Sequence, residues 1–494
     1  MSGTSMSVLG ILLGYIAVCI LIGWYSYRRR APGLYDFYIA SGSMGPIIMA
    51  GTIAATGYSA YAILGGPGWF YNGGTSPAMS ELPYIAGNVL VCLIVGSRIF
   101  KAGVYHKFIT PADFFAKRFG EKWITRFVVG LVICFLASIF YVSAQLIGST
   151  YVVTGLSGGE LDFLPIVIVM AITLAVYVAL GGFRAVAYTD FIQAIMMTIM
   201  IIGFAIVAYR EFGGVHQLWA TAIERRPSIM TLDTGHPWFL SKGMVCFLGP
   251  MMFPHLWVRL YANRSLEGLR SMAIGGCIAG VLVVILSYTT IGAVTSATFP
   301  DIATAPGPAD QLPVFWALGR FGPILGAVLF TGAMAAAFST ADSILLMVSS
   351  SFSRDIFGLF NWPKTEKNQL AVARLLIVAI IGVSLIGGLF AKGTGLMKMV
   401  LSFTYPGYYM LMPITLCALF WKRANKYGLM AGLVTRTIIS LLVIAKVIPT
   451  MGTYSGFIGI SVCAVVLVVV SLLTPAPSEQ QLSEFFVEQG KITT

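Results

Sequence analysis

The chain has 494 residues, of which 57% are hydrophobic and only 10% charged, where a soluble protein carries roughly 25% charged residues. So few charges cannot cover a surface that faces water, which excludes an ordinary soluble fold. The net charge of +12 would by itself suit nucleic acid, but the basic residues sit in short clusters between apolar runs, where they serve as orientation signals, and no GxxxxGK[ST] loop offers a seat for ATP, so neither a nucleic-acid partner nor an ATP-driven pump is expected.

About thirteen apolar runs approach the roughly 20 residues that cross 30 Å of hydrocarbon as a helix. They are 7–27, 43–70, 79–98, 125–153, 162–181, 189–208, 238–261, 271–296, 315–352, 371–391, 396–420, 428–447 and 455–474. The alternating segments of about ten residues that mark a membrane barrel are absent. The expected fold class is therefore all-α and integral to the membrane, with the lipid bilayer as an obligatory partner. The first run is long for a signal peptide and is followed rather than preceded by cations (Arg28, Arg29, Arg30), so it reads as a retained helix. Most of the 31 Lys and Arg residues lie in alternate loops beginning with that cluster. This predicts a multi-pass cell-membrane (plasma or inner) protein with its N-terminus outside and its C-terminus in the cytoplasm.

Span two, MGPIIMAGTIAATGYSAYAILGGPGWF, holds Gly51 and Gly57 and ends on Gly65-Gly66-Pro67-Gly68; span seven holds Gly249-Pro250 and Pro254 in mid-membrane. Glycine tolerates unwound backbone and proline removes a helical donor. Freed carbonyls at that depth require protein, water or an ion. Two interrupted spans lying five apart run in opposite directions, which is the sequence sign of an inverted-repeat transporter. Glu81 begins span three and Asp190 begins span six, each where a carboxylate offsets the helix dipole or serves a site. Span nine carries a small-residue stripe (Gly332, Ala333, Ala335, Ala336, Ala337) and then Ser339, Thr340, Asp342 and Ser343 within five positions. Ser339, Asp342 and Ser343 share a helix face, and hard cations such as sodium take oxygen ligands. An intramembrane carboxylate is functional by default. The seven cysteines, Cys134 among them, lie inside apolar runs and read as filler. His106, His216, His236 and His255 are scattered, no nucleophile–base pair stands out, and no enzymatic activity is expected. The tail 475–494 is polar, short and expected to be peripheral.

Taken in order, YDFYIASGSMGP, GGPG, TPADFFAKRFG, VYVALGGFRAVAYTDFIQA, PHLWVR, AAAFSTADSILL and SSSFSRDIF resemble the sodium:solute symporter family, over nearly the whole chain. The resemblance implies a leucine-transporter-type fold, a five-plus-five inverted repeat of ten helices. Repeat one would be 43–208 and repeat two 238–420. Helix 7–27 and two accessory helices within 428–474 complete one transport domain, 1–474, followed by a cytoplasmic tail. It implies sodium as coupling ion, held by carbonyls of Ala55, Tyr58 and Ala336 and hydroxyls of Ser339 and Thr340. A second sodium site would fall on Asp190, Ser339, Thr340, Asp342 and Ser343, with Asp342 standing where a hydroxyl is typical. The solute cavity would be lined by Gly57, Ser59, Glu81, Tyr141, Gln145, Phe253 and Tyr405. The implied activity is import of a small organic solute by alternating access. GGPG and the MFPH stretch lie nearer the pantothenate and monocarboxylate carriers, giving a carboxylate-bearing solute a modest preference. An amino acid, a sugar, proton coupling and a sensory role are the alternatives. Oligomeric state is not written in the sequence.

Overall fold

A computed structural model describes residues 3–57, 59–131, 137–232, 235–249, 252–391, 393 and 395–490. Every named element among them is helical. Span one is Gly3–Arg29. Among the described residues nine helices are long and apolar enough to cross a membrane, and the bent pair Pro46–Gly57 and Tyr61–Gly73, span two, makes a tenth. The helix Phe163–Phe212 has 50 residues, roughly 75 Å at 1.5 Å per residue, more than twice the hydrocarbon thickness. It is divided at Gly182, where φ is 59°, into spans five and six. The sequence suggests a loop here; the chain instead turns at one residue, because a Cβ on Gly182 would collide with the Phe37 carbonyl and only glycine takes this backbone without strain. Span seven (Pro237–Leu248, then Pro254–Ala262) and span eleven (Leu396–Met399, a π turn, Tyr405–Tyr408, then Leu411–Phe420) are each interrupted. Counted with them, and with Phe163–Phe212 taken as two, the described residues hold thirteen candidate spans.

The interruptions fall where the sequence puts its glycines and prolines. In span two the first helix ends at Gly57 and a π turn, Tyr61–Gly65, leads into Gly66–Gly73, the two parts inclined at 49°. Span seven restarts with Pro254 in the first helical turn, where its missing N–H is not needed. Span nine lies within Leu312–Ser351, broken at Gly322 (φ 69°). Its small-residue stripe, Ala333 and Ala335 to Ala337, is fully buried, and its helix packs against span four and against the long helix of spans five and six. Span twelve is Lys426–Ile444 and span thirteen Ser455–Leu473.

Between spans three and four a short helix, Pro111–Phe119, opens on a capping box from Thr110 and Asp113 and ends on Gly120 in the left-handed region. The tail forms a helix, Glu479–Gly490, that is docked rather than loose. Phe485 is fully buried against Phe114, with ring centroids 5.3 Å apart. Gln481 donates to the Arg118 carbonyl (2.8 Å) and Lys117 pairs with Glu484 (2.9 Å).

Candidate functional site

The first helix of span two ends two residues after Ala55, at Gly57, and span nine reaches the Ala55 carbonyl. The Ser339 hydroxyl lies 3.1 Å from the Ala55 carbonyl and 3.1 Å from that of Ala336, so one hydrogen is shared between carbonyls of two spans. Thr340 follows on the same helix; its Oγ1 is buried and has no hydrogen-bond partner among the described residues. All four residues are 0% exposed. Tyr58, the fifth member of this expected set, lies outside the described residues. The chemistry is that of an oxygen cluster with one hydroxyl left over, and it fits a small hard cation.

The second expected set is arranged differently. Arg259, from the latter half of span seven and 1% exposed, pairs with Asp190 at 2.8 Å. It also donates to Thr52 Oγ1 (3.0 Å), the His255 carbonyl (3.0 Å) and Ser343. Thr52 itself donates to Asp190. The guanidinium thus bridges Asp190 and Ser343. Asp342 turns elsewhere: it accepts from the Tyr177 hydroxyl (2.6 Å) and contacts Ser343 (3.1 Å). Sequence reasoning missed this bridge. Arg259 stands near the end of an apolar run, where a cation reads as an orientation signal, and its spacing from Asp190 says nothing of contact.

Six of the seven expected solute residues, Gly57, Ser59, Glu81, Tyr141, Phe253 and Tyr405, line one enclosed cavity together with Thr56, Tyr61, Tyr84, His255 and Tyr288. Tyr405 lies 5.1 Å from Phe253, 5.4 Å from Tyr61 and 6.0 Å from Tyr141, centroid to centroid, in tilted or edge-on contacts. These rings make the wall largely aromatic, with hydroxyls at its rim. The cavity volume is about 40 Å³, enough for a few waters, so a solute requires the rings to part. Gln145 does not line it. Its Oε1 accepts the Ala60 N–H at 2.9 Å, satisfying backbone freed by the break in span two.

Glu81 is held from two sides. Lys242 Nζ, from the first half of span seven, lies 2.6 Å from Glu81 Oε1, and the Tyr61 hydroxyl donates to the same oxygen at 2.9 Å. Lys242 is 0% exposed and Glu81 is 6% exposed. Lys242 was not foreseen either; a lysine inside an apolar run facing a glutamate in another run is the signal that would have found it. Beyond this pair, a second cavity of about 580 Å³ is lined by Trp69, Asn72, Trp238, Asp310, Lys398 and Tyr454 among others. Asp310 closes its rim by accepting the Leu396 N–H at 2.9 Å.

Residues 37–435 match the sodium:solute symporter family. The chain is 27% identical over 484 residues to the high-affinity proline transporter PutP of Bacillus subtilis (strain 168), covering 94% of this chain and 98% of that one. It is 26% identical over 483 residues to a sodium/proline symporter of Staphylococcus aureus (strain bovine RF122 / ET3-1), covering 94% and 92%. Its fold superimposes on a substrate-bound, outward-open Na+-coupled sialic acid symporter with a TM-score of 0.79 at 16% identity, covering 96% of this chain and 99% of that one. For MhsT in complex with L-phenylalanine the TM-score is 0.53 at 16% identity, covering 86% and 98%. Both neighbours have the leucine-transporter fold, and the helices described here share it. The chain therefore belongs to the sodium:solute symporter family, as a multi-pass membrane protein that couples sodium to the transport of a small solute and is not an enzyme.

Proposed function

We propose that this symporter binds sodium at the carbonyls of Ala55, Tyr58 and Ala336 and the hydroxyls of Ser339 and Thr340, and with it imports a small carboxylate-bearing metabolite. The observation that carries the sodium assignment is the Ser339 hydroxyl shared between the Ala55 and Ala336 carbonyls, beside a buried Thr340 hydroxyl with no described partner. Sodium would supply what one hydroxyl hydrogen cannot, a positive charge tying several oxygens of spans two and nine together. Span two also lines the solute cavity through Gly57 and Ser59, so fixing its break fixes one wall of the pocket. Sodium affinity and solute affinity must then rise together, by linkage. A second sodium among Asp190, Ser339, Thr340, Asp342 and Ser343 would have to displace Arg259 from Asp190 and Ser343, so this reading takes one sodium per cycle. At −100 mV one sodium carries about 2.3 kcal/mol, roughly fifty-fold accumulation before the chemical gradient is added.

The solute preference rests on sequence likeness, and on relatives named as proline transporters, proline being itself a carboxylate-bearing solute. The transport unit spans 1–474, with repeats 43–208 and 238–420. The face carrying Arg28, Arg29 and Arg30 is read as cytoplasmic, which puts the N-terminus outside and the docked tail helix inside. The test is uptake of labelled L-proline, pyruvate, pantothenate and D-galactose into proteoliposomes, with sodium or potassium outside. Sodium-dependent uptake of a carboxylate-bearing solute supports the reading, with Ser339→Ala raising the half-saturating sodium concentration at least ten-fold. Sodium-dependent uptake of galactose alone would refute the solute class, and an unchanged sodium dependence in Ser339→Ala would refute the site.

A further inference from the structure

The Glu81–Lys242 pair stands on the partition between two cavities. Glu81 lines the enclosed aromatic cavity. Lys242 lies one helical turn from Trp238, and its Nζ is 5.9 Å from the Tyr454 ring; Trp238 and Tyr454 both line the larger cavity beyond. The pair also joins three spans, because the Glu81 oxygen that Lys242 holds accepts the Tyr61 hydroxyl of broken span two. Cys246 Sγ, 2.7 Å from Lys242 Nζ and 3.7 Å from Glu81 Oε2, is the remaining polar atom against it, and no other ion pair involves either residue among the described residues.

We propose that Glu81 and Lys242 are specificity-determining residues that read a zwitterion, the solute's carboxylate replacing Glu81 at Lys242 and its ammonium replacing Lys242 at Glu81. The argument is charge conservation in a buried site. A neutral sugar gains nothing from either charge and leaves the pair closed. A plain anion that takes Lys242 strands Glu81 as a lone buried carboxylate, a costly species. A plain cation strands Lys242 in the same way. A zwitterion opens the pair while both side chains keep an opposite charge and the total stays zero. Opening it also loosens spans three and seven from one another at the partition, so the charge pattern that is recognised is the one that can open the passage. The inference narrows the carboxylate reading above and rests on it.

The experiment uses one ring carrying three charge patterns. Thermal stability of the purified full-length protein is measured in saturating sodium, and again in potassium, with L-proline, cyclopentanecarboxylate or pyrrolidine, and with L-alanine, L-leucine and pyruvate alongside. The expected result is sodium-dependent stabilisation by at least one amino acid and by neither cyclopentanecarboxylate nor pyrrolidine. Because Lys242→Met alone strands Glu81 and can fail to fold, the deciding variant is the double Lys242→Met/Glu81→Gln, which strands no charge. It should keep its stabilisation by sodium yet bind the amino acid at least ten-fold more weakly. Undiminished amino-acid binding by that variant would reduce the pair to a structural tie and overturn the proposal. Sodium-dependent stabilisation by pyruvate or cyclopentanecarboxylate, with every amino acid inert, would overturn it while leaving the sodium-coupled carboxylate reading intact. If no carboxylate-bearing solute acts differently in sodium and potassium, both fail together.

Discussion

Replacing Thr340 with valine removes one hydroxyl and changes little else in shape, and its effect should reverse sign with the cation in the buffer. In potassium the wild type holds Thr340 Oγ1 buried without a described partner. A buried unsatisfied polar group costs about 1–3 kcal/mol, so Thr340→Val should be more stable than wild type, by about 1 kcal/mol. In sodium the wild type gains the binding free energy of the ion, about 2.7 kcal/mol at a hundred-fold excess over Kd. The variant forfeits much of that, because a methyl group stands where a ligand oxygen is needed. The two proteins should therefore exchange rank between buffers. Thermal unfolding of both, purified in one detergent and titrated with sodium chloride or potassium chloride at constant ionic strength, reads this directly. A variant that is destabilised equally in both salts would mean that Thr340 supports packing. A variant with the full sodium shift would mean that the ion does not touch it.

Other consequences follow from the same contacts. Arg259→Met leaves Asp190 as an unpaired buried carboxylate and should cost about 3–5 kcal/mol, most of it recovered in Arg259→Met/Asp190→Asn; equal melting temperatures for single and double variants would contradict the pairing. Asp310, which lines the larger cavity, is pushed by burial up to about 6 against the pull of the Leu396 N–H. Its folded-state value lies above the ordinary 3.8, so the folded protein holds the proton longer and stability should fall as pH rises from about 4 to 6 and level off above. Asp310→Asn should flatten that slope and raise the melting temperature at neutral pH but not at pH 4 (about the unshifted value), as melts across the range would show. Phe485→Ala removes the anchor of the tail helix, a Phe→Ala core change worth about 3–5 kcal/mol but felt only locally. The tail should become cleavable by protease while the melting temperature of the membrane core stays the same, and unchanged protection would mean that the docking rests on Lys117 and Gln481.

Much of this was legible because the bilayer leaves few choices. Apolar runs of one length must be helices, and Gly57, Gly249 and Pro254 then mark where two of them break. The hydroxyls of Ser339 and Thr340 were visible as a cluster on span nine. Ala55 as the carbonyl that Ser339 meets was named by the family resemblance, and free carbonyls of an unwound span two were what its glycines suggested. What stayed hidden were pairings between distant runs. Lys242 and Arg259 look in sequence like topological cations, and only the packing of span seven against spans three and six turns them into partners of Glu81 and Asp190 respectively. Gln145 was placed in the solute cavity by the family resemblance, and its Oε1 accepts the Ala60 N–H. The polar composition of the tail concealed Phe485, whose burial depends on Phe114 far back in the chain.

Direct binding of radioactive sodium to the purified protein tests the central claim. Wild type should bind sodium saturably, with potassium unable to compete. Ser339→Ala and Thr340→Val should each weaken that binding at least ten-fold, while Asp342→Asn should leave saturable binding in place. Sodium binding that survives both hydroxyl substitutions and vanishes with Asp342 would contradict the account and move the ion to the Asp342 carboxylate.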